Sequence, residues 1–562
     1  MVYNINMSKI KVTLNDGAKT LSVREVEAGT PLDSFMPPRA SNDKTVIAAL
    51  LNNDVVSLSA PVVVASTVSP LTLDDAHGWR VYRWSLCFIL AKAAHDVCPG
   101  LEVRVRHSLG RGLFCTVGWR EGDDRAAVVA AIEGRMRAIV ADDLPIERRL
   151  LAYEEALERF RSTGQDDKLY LLAHRNPPVV LLVDCGGFYD LLQAPMVHRT
   201  GLLATFALQP YEDGFILRLP TRSAPHGLSP QVGPEPLFNI YKEHIRWGRI
   251  LGVTTAGELN RRIMDGEVDE FIRVAEALHD KKFADIAAQI DRCPTHPKLV
   301  LIAGPSSSGK TTSAIRLSTN LRVLGHKPFI ISTDDYFVGD ERNPRDENGN
   351  LDYEHIKAVD IERLNHDLAE LLAGREVSMP YFDFKEHRPH ERPGKFHLDE
   401  DQVIVMEGIH SLNPDLTPGI PRAQKFLMNV SALTQLAIDK SCRVSTTDNR
   451  LLRRMVRDWK YRGRSAVDTI RMWPSVLRGE ERWIFPFQGL ADATFNSALD
   501  YEIGVLKPYA SDLLNTVKPS MPEYAEARRL SAILQNFMAI ASSVVPGDSI
   551  LRECIGGSQL AY

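Results

Sequence analysis

Short, uninterrupted runs of apolar residues mark the second half of the chain. Residues 299–303, 328–332 and 402–406 are each about five residues long, and each is followed by a glycine-rich or polar segment. Short runs that are apolar throughout are typical of strands in a parallel sheet, because helices cover both faces of such a sheet. A helical pattern follows the first run. The sequence therefore predicts an α/β domain, with a mostly parallel sheet flanked by helices.

The rest of the chain shows other patterns. Residues 8–70 alternate between apolar and polar positions around Gly- and Pro-marked turns, which predicts a small β-rich module. Helical and strand patterns mix from residue 74 to about 220, and residues 237–290 are mostly helical. The segment 293–297 contains two prolines, which cannot continue a helix, so we predict a linker there.

Composition limits the classes of protein that fit. A chain of 562 residues is too long for one core, and a net charge of −5 does not favour a general nucleic-acid binder. The seven cysteines are scattered, which argues against a disulfide framework or a zinc ribbon. Neither a secretory leader nor a run of 18 apolar residues is evident, so we expect a cytoplasmic protein without membrane spans.

A phosphate-binding loop follows the first apolar run. Residues 304–311, GPSSSGKT, match G-x-x-x-x-G-K-[ST] at every fixed position. The glycines let backbone N–H groups approach phosphate oxygens, Lys310 would reach the β and γ phosphates, and the Thr311 hydroxyl would bind Mg²⁺. The predicted ATP contacts in this segment are Gly304, Ser306, Ser307, Ser308, Gly309, Lys310, Thr311 and Thr312.

Carboxylates follow the other two apolar runs. Asp334 and Asp335 come just after residues 328–332, and Glu407 follows residues 402–406. Strand ends of a parallel sheet face the ligand crevice, so an aspartate there could accept the proton of an attacking hydroxyl. A Glu at the second position would support Mg²⁺ directly or through water.

A predicted helix near residues 448–464 carries arginines at i, i+3, i+4 and i+7, namely Arg450, Arg453, Arg454 and Arg457. These side chains share one face. An all-arginine face is expected to bind anions, and arginine suits bidentate phosphate contact. Residues 462–464, RGR, are predicted to form a lid hinge over ATP. An Arg-rich helix that binds RNA is the alternative.

These segments together resemble the uridine kinase and phosphoribulokinase family. The resemblance adds residues 351–355 (LDYEH), 380–387 (PYFDFKEH) and the Glu-Gly pair at 407–408. It also adds the lid arginines, which are Arg454, Arg457, Arg462 and Arg464. It implies that Asp334 is the catalytic acid/base, that Lys310 stabilises the charge of the phosphate, and that Arg457 and Arg462 contact ATP. Thr311 and Glu407 would hold Mg²⁺. The implied acceptor-binding residues are Asp352, Phe382, His387, Arg454 and Arg464.

Two positions depart from the uridine kinase pattern. Phe382 stands where those enzymes carry a stacking Tyr, and Met472 stands roughly where a Gln reads the pyrimidine. A Met cannot replace the donor and acceptor of an amide. Uridine specificity is therefore less well supported than kinase activity.

The N-terminal half resembles the front of threonyl-tRNA synthetases. Residues 84–90 (WSLCFIL) resemble their H-S-x-x-H-L-L helix, and residues 185–189 (CGGFY) resemble their C-x-x-x-H segment. Trp84, Phe88 and Tyr189 thus replace three of four metal ligands, so we expect neither zinc binding nor editing through these positions. Nucleic acid remains a possible partner of this half.

The predicted architecture has five parts. They are a small β-grasp TGS-like domain (8–70), an α+β domain like the synthetases' second additional domain (71–225), a helical connector (226–295), the P-loop kinase domain (296–510) and a helical C-terminal tail (511–562). The implied reaction transfers the γ-phosphoryl group of ATP to the 5′-OH of uridine or cytidine, as in pyrimidine salvage. The alternatives are a kinase of another sugar-like substrate and an RNA-binding regulator that uses the P-loop as an ATP switch. The oligomeric state is not predicted.

Overall fold

A small mixed sheet begins the chain in the computed structural model, which describes residues 9–16, 19–40, 44–231, 233, 238–347, 349–384 and 386–561. The predicted features at Ser8, Leu237 and Lys385 lie outside these residues. The strands are β1 (Lys9–Asp16), β2 (Lys19–Glu27), β3 (Thr30–Pro31), β4 (Ala48–Leu51), β5 (Asp54–Val56), β6 (Pro61–Val62) and β7 (Ser66–Leu71). Strands β1 and β7 pair in parallel at the centre of the order β2-β1-β7-β4-β5, as expected of a β-grasp sheet.

An α+β region follows. Its elements are α1 (Ala76–Val97), β8 (Val103–Leu109), β9 (Gly112–Val117), α2 (Arg125–Ala141), β10 (Glu147–Ala152), α3 (Tyr153–Ser162), α4 (Asp166–Leu172), β11 (Val179–Cys185), β12 (Phe188–Leu191), β13 (Ala207–Tyr211), β14 (Gly214–Arg218), β15 (Pro220–Thr221) and β16 (Ala224–Leu228). Antiparallel sheets of order β13-β14-β9-β8 and β10-β11-β12 pair its main strands. Apolar residues of α1 and α2 pack into one core with those of β8, β9 and β14.

Three helices connect this region to the phosphate loop: α5 (Phe238–Leu251), α6 (Ala256–Met264) and α7 (Val268–Asp291). Helix α6 begins at a capping box, in which the Thr255 hydroxyl accepts the Glu258 N–H and the Glu258 carboxylate accepts the Thr255 N–H. Among the described residues, no helix is both long enough and apolar enough to cross a membrane.

The next region is built on a parallel sheet. Its elements are β17 (Leu299–Ala303), α8 (Lys310–Val323), β18 (Lys327–Ser332), α9 (Ile361–Leu372), β19 (Pro380–Asp383), β20 (Arg388–Glu391), β21 (Gln402–Glu407), β22 (Lys425–Ser431), α10 (Thr446–Arg462), α11 (Ala466–Trp483), β23 (Ala493–Asn496) and α12 (Glu502–Asn515). The sheet order is β18-β21-β17-β22-β23, with every neighbouring pair parallel. The three apolar runs are therefore β17, β18 and β21, as the sequence predicts.

Sheet order explains why distant residues meet. Strand β21 lies between β17 and β18, and Glu407 pairs in register with Ile302 on one side and Ser332 on the other. The carboxyl ends of the three strands therefore lie side by side. This edge carries the phosphate loop, Asp334 and Glu407, which is the crevice that a parallel sheet offers a ligand.

The C-terminal tail is less helical than expected. It contains α13 (Tyr524–Leu534) and the four-residue α14 (Arg552–Ile555), with turns and a short 3-10 segment between them. Pro546 and Gly547 in that interval disfavour a continuous helix. The tail nonetheless packs firmly, because Ile550, Leu551 and Ile555 are at most 3% exposed.

A buried cluster of charges joins the α+β region to the parallel-sheet region. The Lys168 ammonium is 2% exposed and lies 2.8 Å from carboxylate oxygens of both Asp190 and Asp439, with Asp167 at 3.6 Å. The Ser441 hydroxyl donates to Asp190, and the backbone N–H of Lys440 donates to Asp167. These carboxylates raise the pKa of Lys168 against the opposing effect of burial, which keeps the ammonium charged.

Replacing Lys168 tests this cluster. Lys168→Ala leaves three carboxylates near one another without their cation, so we expect a loss of stability of about 3–5 kcal/mol, the usual cost of breaking a buried ion pair. Thermal unfolding should shift down by several degrees, while the exposed Lys281→Ala should leave it unchanged. Equal melting temperatures for the two variants would contradict the role we give to Lys168.

Candidate active site

The backbone of the phosphate loop adopts conformations that its sequence permits. Gly309 has a left-handed φ of 85° and caps α8, and Ser307 also has a positive φ of 59°. An added Cβ at Gly304 would overlap the Val430 carbonyl, so only glycine fits there. The hydroxyls of Ser307 and Ser308 are buried and have no hydrogen-bond partner among the described residues. Donors left open in this way are suited to phosphate oxygens.

Ser306 is held by side chains that lie far away in the sequence. Its carbonyl accepts from Arg450 Nε at 2.9 Å, and its hydroxyl accepts from Arg454 Nη1 at 2.8 Å. Its N–H donates to Glu480 Oε1 at 3.3 Å, and Glu480 in turn pairs with Arg450. Helices α10 and α11 thus fix the shape of the loop. No sequence motif indicated Glu480, because its partners lie 30 and 174 residues away.

The predicted magnesium ligands lie together. Thr311 Oγ1 donates to Glu407 Oε1 at 3.3 Å, and Ser332 Oγ donates to the same oxygen at 2.8 Å. Burial and the neighbouring Asp334 raise the pKa of Glu407 to about 7, although Lys310 opposes them. Hydroxyl and carboxylate oxygens beside a phosphate loop are the ligands that Mg²⁺ prefers, and the ion usually takes one or two carboxylates together with substrate phosphates. The residues present therefore fit this metal.

A cavity of about 540 Å³ opens beside the loop. It brings together most of the residues that the sequence predicts for catalysis and binding: Ser306, Ser307, Lys310, Asp334, Phe382, His387, Arg454, Arg457, Arg462 and Arg464. It also contains Tyr353, Glu354 and Met472. Its volume lies in the usual range for a small-molecule site.

Other predicted residues do not line this cavity: Gly304, Ser308, Gly309, Thr311, Thr312, Asp352 and Glu407. Most belong to the loop, the first turn of α8 or the metal position, at the edge of the cavity. Thr312 instead donates to Glu553 of the C-terminal tail at 3.0 Å. The assignment of Asp352 to the acceptor, and of the others to ATP or magnesium, stays a prediction.

The two adjacent aspartates after β18 have different surroundings. Asp334 faces the cavity, whereas Asp335 Oδ2 accepts from Arg392 at 2.6 Å. The Ser332 hydroxyl, and not Asp335, caps this turn by accepting the Asp334 N–H. Arg392 lies 57 residues further on, out of reach of a local pattern. The role of Asp334 as the proton acceptor stays a prediction.

Asp352 and Glu354 also differ from expectation. Asp352 Oδ1 accepts the Glu354 N–H at 3.1 Å within its own turn, and its side chain does not reach the cavity wall. Glu354 does line the cavity, and burial raises its pKa to about 7. No sequence pattern indicated Glu354, because the resemblance implies a role for Asp352 alone in this segment.

Two of the four arginines on the predicted face form ion pairs within the protein. Arg450 pairs with Glu480 and Arg453 with Glu502, and both arginines are at most 2% exposed. The expectation of an anion-binding face is therefore wrong for these two, because distant glutamates neutralise them. Trp459 on the same helix is 54% exposed. A face so deeply buried offers no surface to RNA.

The remaining arginines extend towards the cavity. Arg454 and Arg457 both bond to Asp458, at 3.2 and 2.8 Å, while Arg462 lies 3.8 Å from the same residue. Gly463 ends α10 with a φ of 63°, so the chain turns sharply at the predicted hinge. Arg464 Nη1 donates to the Met472 sulfur at 3.2 Å. Such a contact is weak and leaves the guanidinium able to bind a ligand.

The synthetase-like positions carry apolar packing. The Phe88 and Phe188 rings lie 5.8 Å apart, and burial raises the pKa of the Cys185 thiol to about 11. A protonated thiol is a poor metal ligand. Within the described ranges, no group of three or more His, Cys, Asp and Glu side chains is arranged to hold a metal. Absence of zinc remains a prediction.

Comparison with known proteins agrees with this geometry. The model of the phosphoribulokinase / uridine kinase family matches residues 299–503. A uridine kinase of Bacillus licheniformis is 32% identical over 197 residues, which are 35% of this chain and 84% of that protein. The chain belongs to the phosphoribulokinase and uridine kinase family. Phosphotransferase chemistry follows from that membership.

The N-terminal region has different relatives. A threonine–tRNA ligase of Acidithiobacillus ferrooxidans is 30% identical over 168 residues, which are 30% of this chain but only 26% of the ligase. A ligase of Desulforamulus reducens is 30% identical over 203 residues, or 35% of this chain and 31% of that protein. This chain therefore spans about a third or less of those ligases. The predicted fold class, a P-loop kinase domain behind synthetase-like domains, is confirmed.

One solved structure illustrates the limits of global comparison. A possible uridine kinase from Bacillus stearothermophilus aligns with a TM-score of 0.28 and 20% identity, covering 38% of this chain and 98% of that chain. A score that low supports no conclusion by itself. The predicted domain boundaries and site residues stay predictions.

The contrast between Asp334 and Asp335 gives a direct test. Asp334→Asn should slow phosphoryl transfer by about 10² to 10⁴ with nearly unchanged ATP affinity, because it removes the proton acceptor. Asp335→Asn should have a much smaller effect, since the Asp335 side chain does not line the cavity and accepts instead from Arg392 and from the Phe382 backbone N–H. Both variants should be measured with ATP and acceptor at saturation. A severe defect in Asp335→Asn together with a mild one in Asp334→Asn would move the assignment by one residue.

Proposed function

We propose that this chain transfers the γ-phosphoryl group of ATP to the 5′-hydroxyl of uridine or cytidine. The observation that carries the proposal is the common cavity of Lys310, Asp334 and the lid arginines, next to a phosphate loop. A base, a phosphate-binding cation and a space for a small acceptor are the parts that phosphoryl transfer requires.

Each residue has a defined task in this reaction. Asp334 accepts the proton of the acceptor hydroxyl as its oxygen bonds to the γ-phosphorus. The bond between that phosphorus and the β,γ-bridging oxygen breaks, and ADP leaves. Lys310 and Arg457 stabilise the negative charge on the transferring group. Thr311 and Glu407 would hold Mg²⁺, which neutralises phosphate charge when bound.

The acceptor class is proposed from the side chains of the cavity wall. Phe382 is 7% exposed, and its ring lies edge-on to Phe337 at 5.5 Å, so one wall of the cavity is aromatic and suits a flat base. Met472 supplies a thioether where uridine kinases read the pyrimidine with an amide. A kinase for another polyhydroxylated acceptor is therefore the second candidate. ADP release with uridine, cytidine, ribose and other sugars distinguishes the two.

Removal of the Lys310 ammonium tests the kinase assignment. Lys310→Ala should lower turnover by at least about a hundredfold, because the transferred phosphoryl group loses its main charge stabiliser. Lys357→Ala, which removes an exposed ammonium, serves as the matched control. Near-normal ATP-dependent phosphorylation by Lys310→Ala would overturn the proposed function.

A further inference from the structure

Glu354 is an incompletely bonded carboxylate on the cavity wall. Its side chain is only 13% exposed, and Oε2 is buried without a hydrogen-bond partner among the described residues. The nearest cation is Arg454, whose Nη1 lies 4.0 Å away and already donates to Ser306. Burying a carboxylate oxygen without a donor is costly, so a ligand donor is the natural partner.

The position of Glu354 is fixed from two sides. Its N–H donates to Asp352, and its Cβ packs against Gly479 of α11, where an added Cβ would overlap it. Arg454 Nη1 lies 4.0 Å from Glu354 Oε1 and donates to the Ser306 hydroxyl of the phosphate loop, so Glu354 lies near the loop end of the cavity. Rigid placement of an open acceptor atom is a requirement for substrate selection.

We propose that Glu354, and not Asp352, binds hydroxyl groups of the acceptor and thereby selects acceptors that carry them. The inference rests on the proposed function and names a residue to which the resemblance assigns no role. A carboxylate accepts hydrogen bonds but offers none, so it favours neighbouring hydroxyls over carbonyl groups. In a nucleoside these would be the 2′- and 3′-hydroxyls.

The test compares Glu354→Gln with Asp352→Asn on uridine and 2′,3′-dideoxyuridine. Glu354→Gln should raise the KM for uridine by about 10- to 100-fold and reduce the preference of the wild type for uridine over the dideoxy analogue. The KM for ATP should change by less than about twofold. Asp352→Asn should keep the wild-type preference. Gly479→Ala, which displaces Glu354, should reproduce the Glu354→Gln pattern.

The outcomes separate this proposal from the proposed function. If the wild type phosphorylates uridine and Glu354→Gln retains its preference, or Asp352→Asn loses it, only the assignment of Glu354 is wrong. A lower melting temperature of Glu354→Gln with an unchanged uridine KM would indicate a purely structural role and would also refute it. If the wild type phosphorylates neither nucleoside, the proposed acceptor is wrong and the Glu354 proposal fails with it.

A different observation concerns the other end of the nucleotide. The γ-phosphate end of the proposed ATP faces Asp334 and the cavity, so the α-phosphate end must lie towards the first turn of α8, at Thr312. The Thr312 hydroxyl donates there to Glu553 Oε2 at 3.0 Å. A carboxylate thus takes the hydrogen bond that a nucleotide phosphate would receive.

The tail around Glu553 is attached to both helices that flank this position. Lys460 Nζ of α10 donates to the Ile555 carbonyl at 2.6 Å. An added Cβ on Gly309 would lie 2.7 Å from Ile550, so the tail also contacts the loop backbone. Against the effect of burial, the negative charges of Asp458 and then of Glu553 raise the pKa of Arg457, one of the predicted ATP contacts.

We propose that residues 549–557 gate the nucleotide site, with Glu553 releasing Thr312 when ATP binds. A nucleotide phosphate and the Glu553 carboxylate are both negatively charged and repel each other, so they cannot both accept a hydrogen bond from the Thr312 hydroxyl. Because the packed tail has to be displaced before ATP binds, only the open fraction of the protein is competent, and the apparent affinity for ATP is reduced by that fraction.

Cys554 reports this movement directly in the full-length chain. Its thiol is 4% exposed, and burial raises its pKa to about 12, so it should react slowly with N-ethylmaleimide in the closed state. Mg²⁺ with a non-hydrolysable ATP analogue should accelerate its alkylation at least about fivefold, as read by peptide mass spectrometry. Cys293, outside the site and partly exposed, serves as the internal reference.

Glu553→Gln supplies the second arm. Removing the charge should tighten ATP binding by about five- to tenfold, while Glu400→Gln at an exposed position should not change it. Weaker or unchanged ATP binding by Glu553→Gln would refute the gate, as would unchanged or slower Cys554 alkylation with the nucleotide. If neither the wild type nor Glu553→Gln binds ATP, the gate and the kinase assignment are both wrong.

Discussion

Buried ion pairs on α10 keep the body of this helix and the phosphate loop in a fixed relation. Arg450 bonds at once to the Ser306 carbonyl and to Glu480 on α11, and Arg453 pairs with Glu502 at the start of α12. Buried charges of this kind cannot separate without a large desolvation cost. The body of α10 therefore moves with the loop. Any closure over the nucleotide has to occur beyond Asp458, around the turn at Gly463.

The same physical principle ties the synthetase-like region to the kinase region. Lys168 and its three carboxylates join residues of α4 and β12 to the loop that carries Asp439. That loop also covers the pocket lined by Trp84, Cys87 and Phe88. The surface corresponding to the synthetase metal positions is thus occupied by this chain's own residues. This surface is therefore packed against the kinase region.

The sequence predicted those parts of the site that local patterns encode. Three apolar runs became β17, β18 and β21, and the GPSSSGKT segment became a loop with the expected left-handed glycine. Contacts across long stretches of sequence were not predictable. Glu480, Glu502 and Arg392 neutralise side chains that look free in the sequence, because the partners lie 30, 49 and 57 residues away. Likewise, the helical expectation for the tail failed where Pro546 and Gly547 interrupt it.

Three carboxylates lie at different points along the proposed nucleotide and acceptor site. Glu354 lies at the acceptor end, Glu407 beside the metal position and Glu553 at the first turn of α8. Burial raises the pKa of both Glu354 and Glu407 to about 7 even with Lys310 close by, so the cations of the site do not fully offset the cost of burying these charges. A polyphosphate without a counterion would add further negative charge to this environment. A divalent cation held by Glu407 would neutralise phosphate charge and would lower the pKa of this carboxyl, so the charge balance favours a nucleotide that carries its cation.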